Sequence, residues 1–103
     1  MGEKIIVKID PDLRELIPTY LEHMRQYAAS LPALLEAGDF DALWKVGHNI
    51  RGSGGGYGLD FLTAFGQRLE LTANAQDRPA IAAQARELSD FLERLQIEYA
   101  NPE

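Results

Sequence analysis

The sequence predicts an all-α fold, an antiparallel up-down four-helix bundle preceded by a short N-terminal extension. Apolar residues recur at helical spacing through most of the chain. The breaks between these segments are short and made of Gly, Asp and Asn, the residues that stop and restart helices. Short connections between amphipathic helices bring them together as antiparallel neighbours. A chain of 103 residues has room for one core, so residues 1–103 are expected to form a single domain with residues 1–9 as its arm.

Taken in order, Ile5-Ile6-Val7-Lys8-Ile9 prefers an extended conformation. A lone strand finds no ladder in a helical domain, so the segment is expected to pack on the bundle as an arm. Asp10 and Pro11 then read as an N-cap and a first helical residue. Leu13, Leu16, Ile17, Tyr20, Leu21, Met24, Tyr27, Ala28, Leu31, Leu34 and Leu35 follow at helical spacing. Pro18 and Pro32 interrupt them, and each should kink or split the helix, giving a short piece before Pro18 and a longer one after it.

Gly38-Asp39 is a stop followed by a start. The next helix should run from Phe40 to about Tyr57, where Gly58 ends it. Asp60 is the expected cap of the third helix, with Phe61, Leu62, Phe65, Leu69 and Thr72 facing inward. Asn74-Ala75-Gln76-Asp77 reads as a loop, with Asp77 capping the last helix and Pro79 in its first turn. Ile81, Ala85, Leu88, Leu92, Leu95 and Tyr99 make a heptad-like stripe, so that helix should extend to Tyr99.

The bulk chemistry excludes several functions. A formal charge of −6 argues against nucleic acid or an anionic membrane as the partner. The absence of cysteine removes disulfides, thiolate metal sites and thiol catalysis, and fits the cytoplasm. The N-terminus is too short and too charged for a signal peptide, and no apolar run approaches a membrane span. His23 has no acidic cluster around it at ligand spacing, so no metal site is expected. No Ser–His–acid set or carboxylate pair suggests a hydrolase.

One segment carries chemistry, His48-Asn49-Ile50-Arg51-Gly52-Ser53-Gly54-Gly55-Gly56-Tyr57-Gly58. At about 100° per residue, Leu43, Val46, Ile50 and Tyr57 form one apolar stripe, and His48 lies opposite Ile50, facing solvent. Its face also carries Trp44, Lys45, Arg51, Gly52 and Gly55. Lys45 and Arg51 are the i−3 and i+3 neighbours, cations that would stabilise a phosphoryl group attached to the ring.

The glycines point the same way. Each glycine inside a helix costs about 0.8–1.0 kcal/mol relative to alanine, so a cluster calls for compensation. Gly52 and Gly55 leave the imidazole unobstructed for a partner's active site, with Trp44 as a further contact, while Gly54 lies nearer the core and permits tight packing of the third helix. A phosphate-cradling loop is a poor alternative, since the run lacks the Gly-Lys-Ser/Thr ending and no strong strand leads into it.

These residues resemble the histidine-containing phosphotransfer (HPt) domain. The likeness rests on His48-Asn49-Ile50-Arg51-Gly52-Ser53, Gly58 ten residues after the histidine, Leu69-Glu70, and the preceding Ala37-Gly38-Asp39-Phe40 turn. The resemblance implies a phosphorelay carrier without kinase activity. It would accept a phosphoryl group on His48 Nε2 from a receiver-domain aspartate or a histidine kinase pathway and pass it to another receiver.

The resemblance further implies that the domain itself holds no cofactor and that Mg²⁺ belongs to the receiver. Arg51 stands at the family's usual lysine, which keeps the charge and changes the donor geometry. Gly52 matches the glycine that admits the receiver. Glu70 is expected to accept the Nδ1 proton's hydrogen bond and leave Nε2 free. The partners implied are a response-regulator receiver domain and a histidine kinase; the sequence does not fix an oligomeric state, and a monomer is the default expectation. The alternative is a docking module that binds a receiver-like protein through Trp44 and the glycine surface without chemistry.

Overall fold

A computed structural model describes residues 2–99. Met1 and residues 100–103, part of the expected single domain, lie outside the described residues. The chain forms strand β1 (Ile5–Ile9), helices α1 (Ile17–Glu36), α2 (Phe40–Gly54), α3 (Asp60–Asn74) and α4 (Arg78–Arg94), and strand β2 (Leu95–Tyr99). Short 3₁₀ turns occupy Pro11–Leu13 and Gly55–Tyr57. Among the described residues the fold is thus mostly helical, with four helices and one small strand pair.

The caps act largely as their chemistry dictates. Asp39 accepts from the Ala42 amide at 3.1 Å and Asp77 from the Ala80 amide at 3.2 Å, each satisfying a donor that the helix start leaves free. Gly38 and Gly58 have φ of 67° and 73°, the left-handed geometry that suits glycine after a helix. Asp60 differs from its expected role. Leu59 is the capping residue, without a side-chain bond, and Asp60 sits within the first turn, where a carboxylate opposes the positive end of the helix dipole.

Pro18 lies in the first turn of α1, where no intrahelical N–H is needed. The short piece before it is only the 3₁₀ turn. Pro32 does not split α1, which continues to Glu36. Leu31 is fully buried beside it and Leu34 and Leu35 pack against the core on the next turn, so burial holds the helix through the missing donor. The α2 segment tightens into 3₁₀ geometry at Gly55 instead of continuing as α-helix to Tyr57, as expected where consecutive glycines weaken the helix.

The largest correction concerns the two ends. α4 stops at Arg94, and Leu95 turns to an extended conformation with φ −67° and ψ 128°. Leu95–Tyr99 pairs in parallel with Ile5–Ile9, Ile5 opposite Leu95 and Ile9 opposite Tyr99. The expected arm is therefore a strand with a partner, and Leu95 and Tyr99 leave the helical stripe. Parallel strands need a long crossover, and here the whole helical domain provides it. Arg14 stacks over the Tyr99 ring at 4.6 Å, and Arg94 donates to the Glu3 carbonyl at 2.7 Å, fastening the pair to its flanks.

The helices touch in a closed ring, α1 with α2, α2 with α3, α3 with α4, and α4 with α1. Leu31, Leu43, Ile50, Phe65, Ile81 and Leu88 are among the fully buried side chains at its centre. The α2–α3 seam is the most extensive, and two glycines make it so. A Cβ on Gly47 would lie 2.9 Å from the Gly66 carbonyl oxygen, and a Cβ on Gly66 would press on the Arg51 amide and lie 2.5 Å from the Gly47 carbonyl oxygen. Backbone meets backbone there, which only glycine permits.

Candidate functional site

The α2–α3 seam sets the geometry around His48. Ile50 is fully buried, and the His48 side chain on the opposite side of the helix is 58% exposed, as the helical wheel requires. Because Gly47 and Gly66 let the two helices close up, residue 70 on α3 comes level with residue 48 on α2. Glu70 is buried, yet its two oxygens are taken by two different groups. His48 Nδ1 lies 3.1 Å from Glu70 Oε2, and Arg51 Nη1 donates to Glu70 Oε1 at 2.8 Å.

The Arg51 hydrogen bond is the main cause that holds the Glu70 carboxyl below its ordinary range. Burial opposes it, and His48 adds a smaller effect in the same direction as Arg51. An ionised carboxylate can only accept hydrogen bonds, so the His48–Glu70 bond requires the proton on Nδ1. In the neutral ring Nε2 then carries the lone pair and faces away from Glu70.

Trp44 stands one turn before His48, its ring parallel to the imidazole with centroids 4.9 Å apart and 9° between planes. It is part-buried and packs against the edge of the core. Gly52 is exposed, and a Cβ there would meet nothing within 4 Å. Gly55 belongs to the 3₁₀ turn, where a Cβ would make only ordinary contact with Thr63 Oγ1 at 3.6 Å. Gly54 is the tight position, since its Cβ would lie 2.8 Å from Thr63 N.

Trp44, His48, Arg51 and Glu70 are thus gathered into one cluster beside open space at Gly52. Lys45 is exposed on the same helix, but among the described residues it makes no ion pair, and Arg51 rather than Lys45 joins the cluster. His23 is exposed on α1. Gly47 and Gly66 were not singled out in the sequence, although each is a glycine inside an otherwise regular helix, the one signal that could have found them.

Among the described residues no group of three His, Cys, Asp or Glu is arranged to hold a metal ion, and no helix is long and apolar enough to cross a membrane. No curated protein and no solved structure matches the chain. The family model described as the Hpt domain matches residues 15–98, spanning all four helices and the seam that joins His48 to Glu70. Hpt domains are phosphocarrier modules that work with response regulators and kinases in two-component phosphorelays, and this chain belongs to that family.

Proposed function

We propose that the chain is a phosphorelay carrier in which His48 Nε2 takes a phosphoryl group from a receiver-domain aspartyl phosphate and returns it to another receiver. The Nε2 lone pair attacks phosphorus, the N–P bond forms as the acyl O–P bond breaks, and the aspartate leaves as carboxylate. The imidazole gains positive charge in this step. Glu70, accepting from Nδ1–H, supports that charge and keeps the reactive nitrogen outward. Arg51 uses one of five N–H donors on Glu70 and keeps others for phosphoryl oxygens. Lys45, one turn before His48, adds a second cation that can follow the phosphoryl group.

The observation that carries this reading is a ring pinned at Nδ1 by a buried carboxylate while its outer side stays open beside Gly52. Gly52 and Gly55 offer a surface low enough for a receiver's active site to close over the imidazole. The receiver brings the Mg²⁺, and the carrier needs no cofactor. The chain acts as a single monomeric domain whose four helices form an antiparallel up-down bundle, and it works in the cytoplasm with a receiver and a kinase.

The test is incubation with a phosphorylated receiver domain, followed by measurement of acid-labile, alkali-stable label. Wild type should take label and His48→Gln none. Label that persists in His48→Gln refutes the site. Receiver binding without label in either protein points to a docking module instead.

A further inference from the structure

We propose that Trp44 is a positioning residue for His48, an indole platform that fixes the plane of the imidazole and supports the charge it acquires during phosphoryl transfer. This rests on the reading of His48 as the phosphoacceptor. Glu70 holds the ring at one atom, Nδ1, at 3.1 Å. A single hydrogen bond leaves the ring free to rock about that contact. The parallel indole removes this freedom, because its centroid lies 4.9 Å from the imidazole centroid with 9° between the planes. That is an offset stack, the favoured arrangement of aromatic pairs.

The platform itself is held. Trp44 is part-buried against the core cluster, whereas the His48 side chain is 58% exposed. One face of the imidazole is therefore backed by a rigid ring and much of the rest stays open to the partner. The i, i+4 spacing on α2 is what brings the two side chains together. The π face also matters electronically. The imidazole becomes cationic as Nε2 gives its lone pair to phosphorus, and an indole face attracts a cation more strongly than a phenyl face does. Trp44 and Glu70 thus act on the same charge from the face and from the edge.

A small phosphoryl donor separates this role from docking. Phosphoramidate presents no protein surface. Its P–N bond breaks as Nε2–P forms, and ammonia leaves. The rate of His48 phosphorylation by phosphoramidate should fall about three- to fivefold in Trp44→Leu, the size expected for losing an exposed cation–π contact. Trp44→Phe should recover part of the rate. In the unphosphorylated protein, the His48 ring-proton resonances should be displaced upfield by the indole and return in Trp44→Leu.

Equal phosphoramidate rates in wild type, Trp44→Phe and Trp44→Leu overturn the proposal, and a deficit confined to the receiver protein makes Trp44 a docking contact only. If wild type takes no label on His48 from either donor, the phosphoacceptor reading itself fails and the positioning role falls with it. Should Trp44→Leu fail to fold, Trp44→Phe decides, since a wild-type rate in that variant removes the dependence on the indole face.

Discussion

Along the α2–α3 seam, Gly47 and Gly66 set backbone against backbone. Along the α1–α4 seam, Leu35, Pro79, Ala82 and Ala85 border an open groove of about 690 Å³. The first seam encloses an ionised carboxylate between two helices and delivers it to a solvent-exposed histidine. The second carries its charges, Glu36, Arg78, Arg86, Asp90 and Glu93, around the groove. The tight seam leaves little freedom in where Glu70 stands, because a backbone contact cannot slide as side chains can. The α1–α4 seam is built from side chains beside an open groove, and no part of the His48 cluster lies there.

The strongest way to break that contrast is Gly66→Ala. In an ordinary helix interior the change stabilises. Here the added methyl meets the α2 backbone, and forcing the helices apart should cost roughly 2 kcal/mol in urea denaturation. It should also abolish the His48–Glu70 hydrogen bond, seen as loss of a protected Nδ1–H resonance. A Gly66→Ala protein as stable as wild type would remove the basis of the comparison.

Next in size is Glu70→Ala. Losing a charged hydrogen bond worth about 1.5–3 kcal/mol should slow receiver-to-His48 transfer by roughly tenfold or more while the helical spectrum stays unchanged. The same carboxylate has a pH signature. Its pKa is lowered from 4.5, chiefly by Arg51. The stability it adds is therefore complete above that value and is lost as pH falls through the lower folded value. Denaturation curves of wild type and Glu70→Gln should converge as pH drops below about 4, and a difference that widens on acidification would contradict the geometry.

Gly52→Ala sharpens the contrast from the other side. With no atom within 4 Å of the added methyl, the helix should gain about 0.5–1 kcal/mol. Transfer from a receiver should slow severalfold while phosphoramidate labelling stays unchanged, because only a protein partner must pass close by. Smallest is Ala82→Leu in the α1–α4 groove. Stability should change by no more than about 0.5 kcal/mol, and transfer to His48 should not change. A transfer defect there would show that the α1–α4 seam is coupled to the site after all.

Much of this was legible in one dimension. The i, i+3, i+4 pattern found all four helices, and its phase put His48 opposite the buried Ile50. Asp39, Asp77, Gly38 and Gly58 announced their turns because capping depends on a few adjacent atoms. Glu70 was reached only through family resemblance, since nothing in its local sequence marks it as the partner of a residue on another helix. The strand pair was missed because β1 reads as a strand only when β2 is beside it, and β2 also fits the helical stripe of α4. The Trp44–His48 stack was partly readable, as the spacing placed both on one face, but spacing alone does not say that two rings lie parallel.

The sequence by itself determined the four helices, the turns at Gly38-Asp39, Gly58 and Asp77, and which way His48 faces, since these follow from backbone preference and side-chain periodicity within a few residues. Only tertiary structure decided that the two ends pair as strands and that Glu70 holds both His48 and Arg51. Those outcomes depend on how far apart two distant segments lie. At the His48–Glu70–Arg51 cluster that distance is set where Gly47 and Gly66 meet.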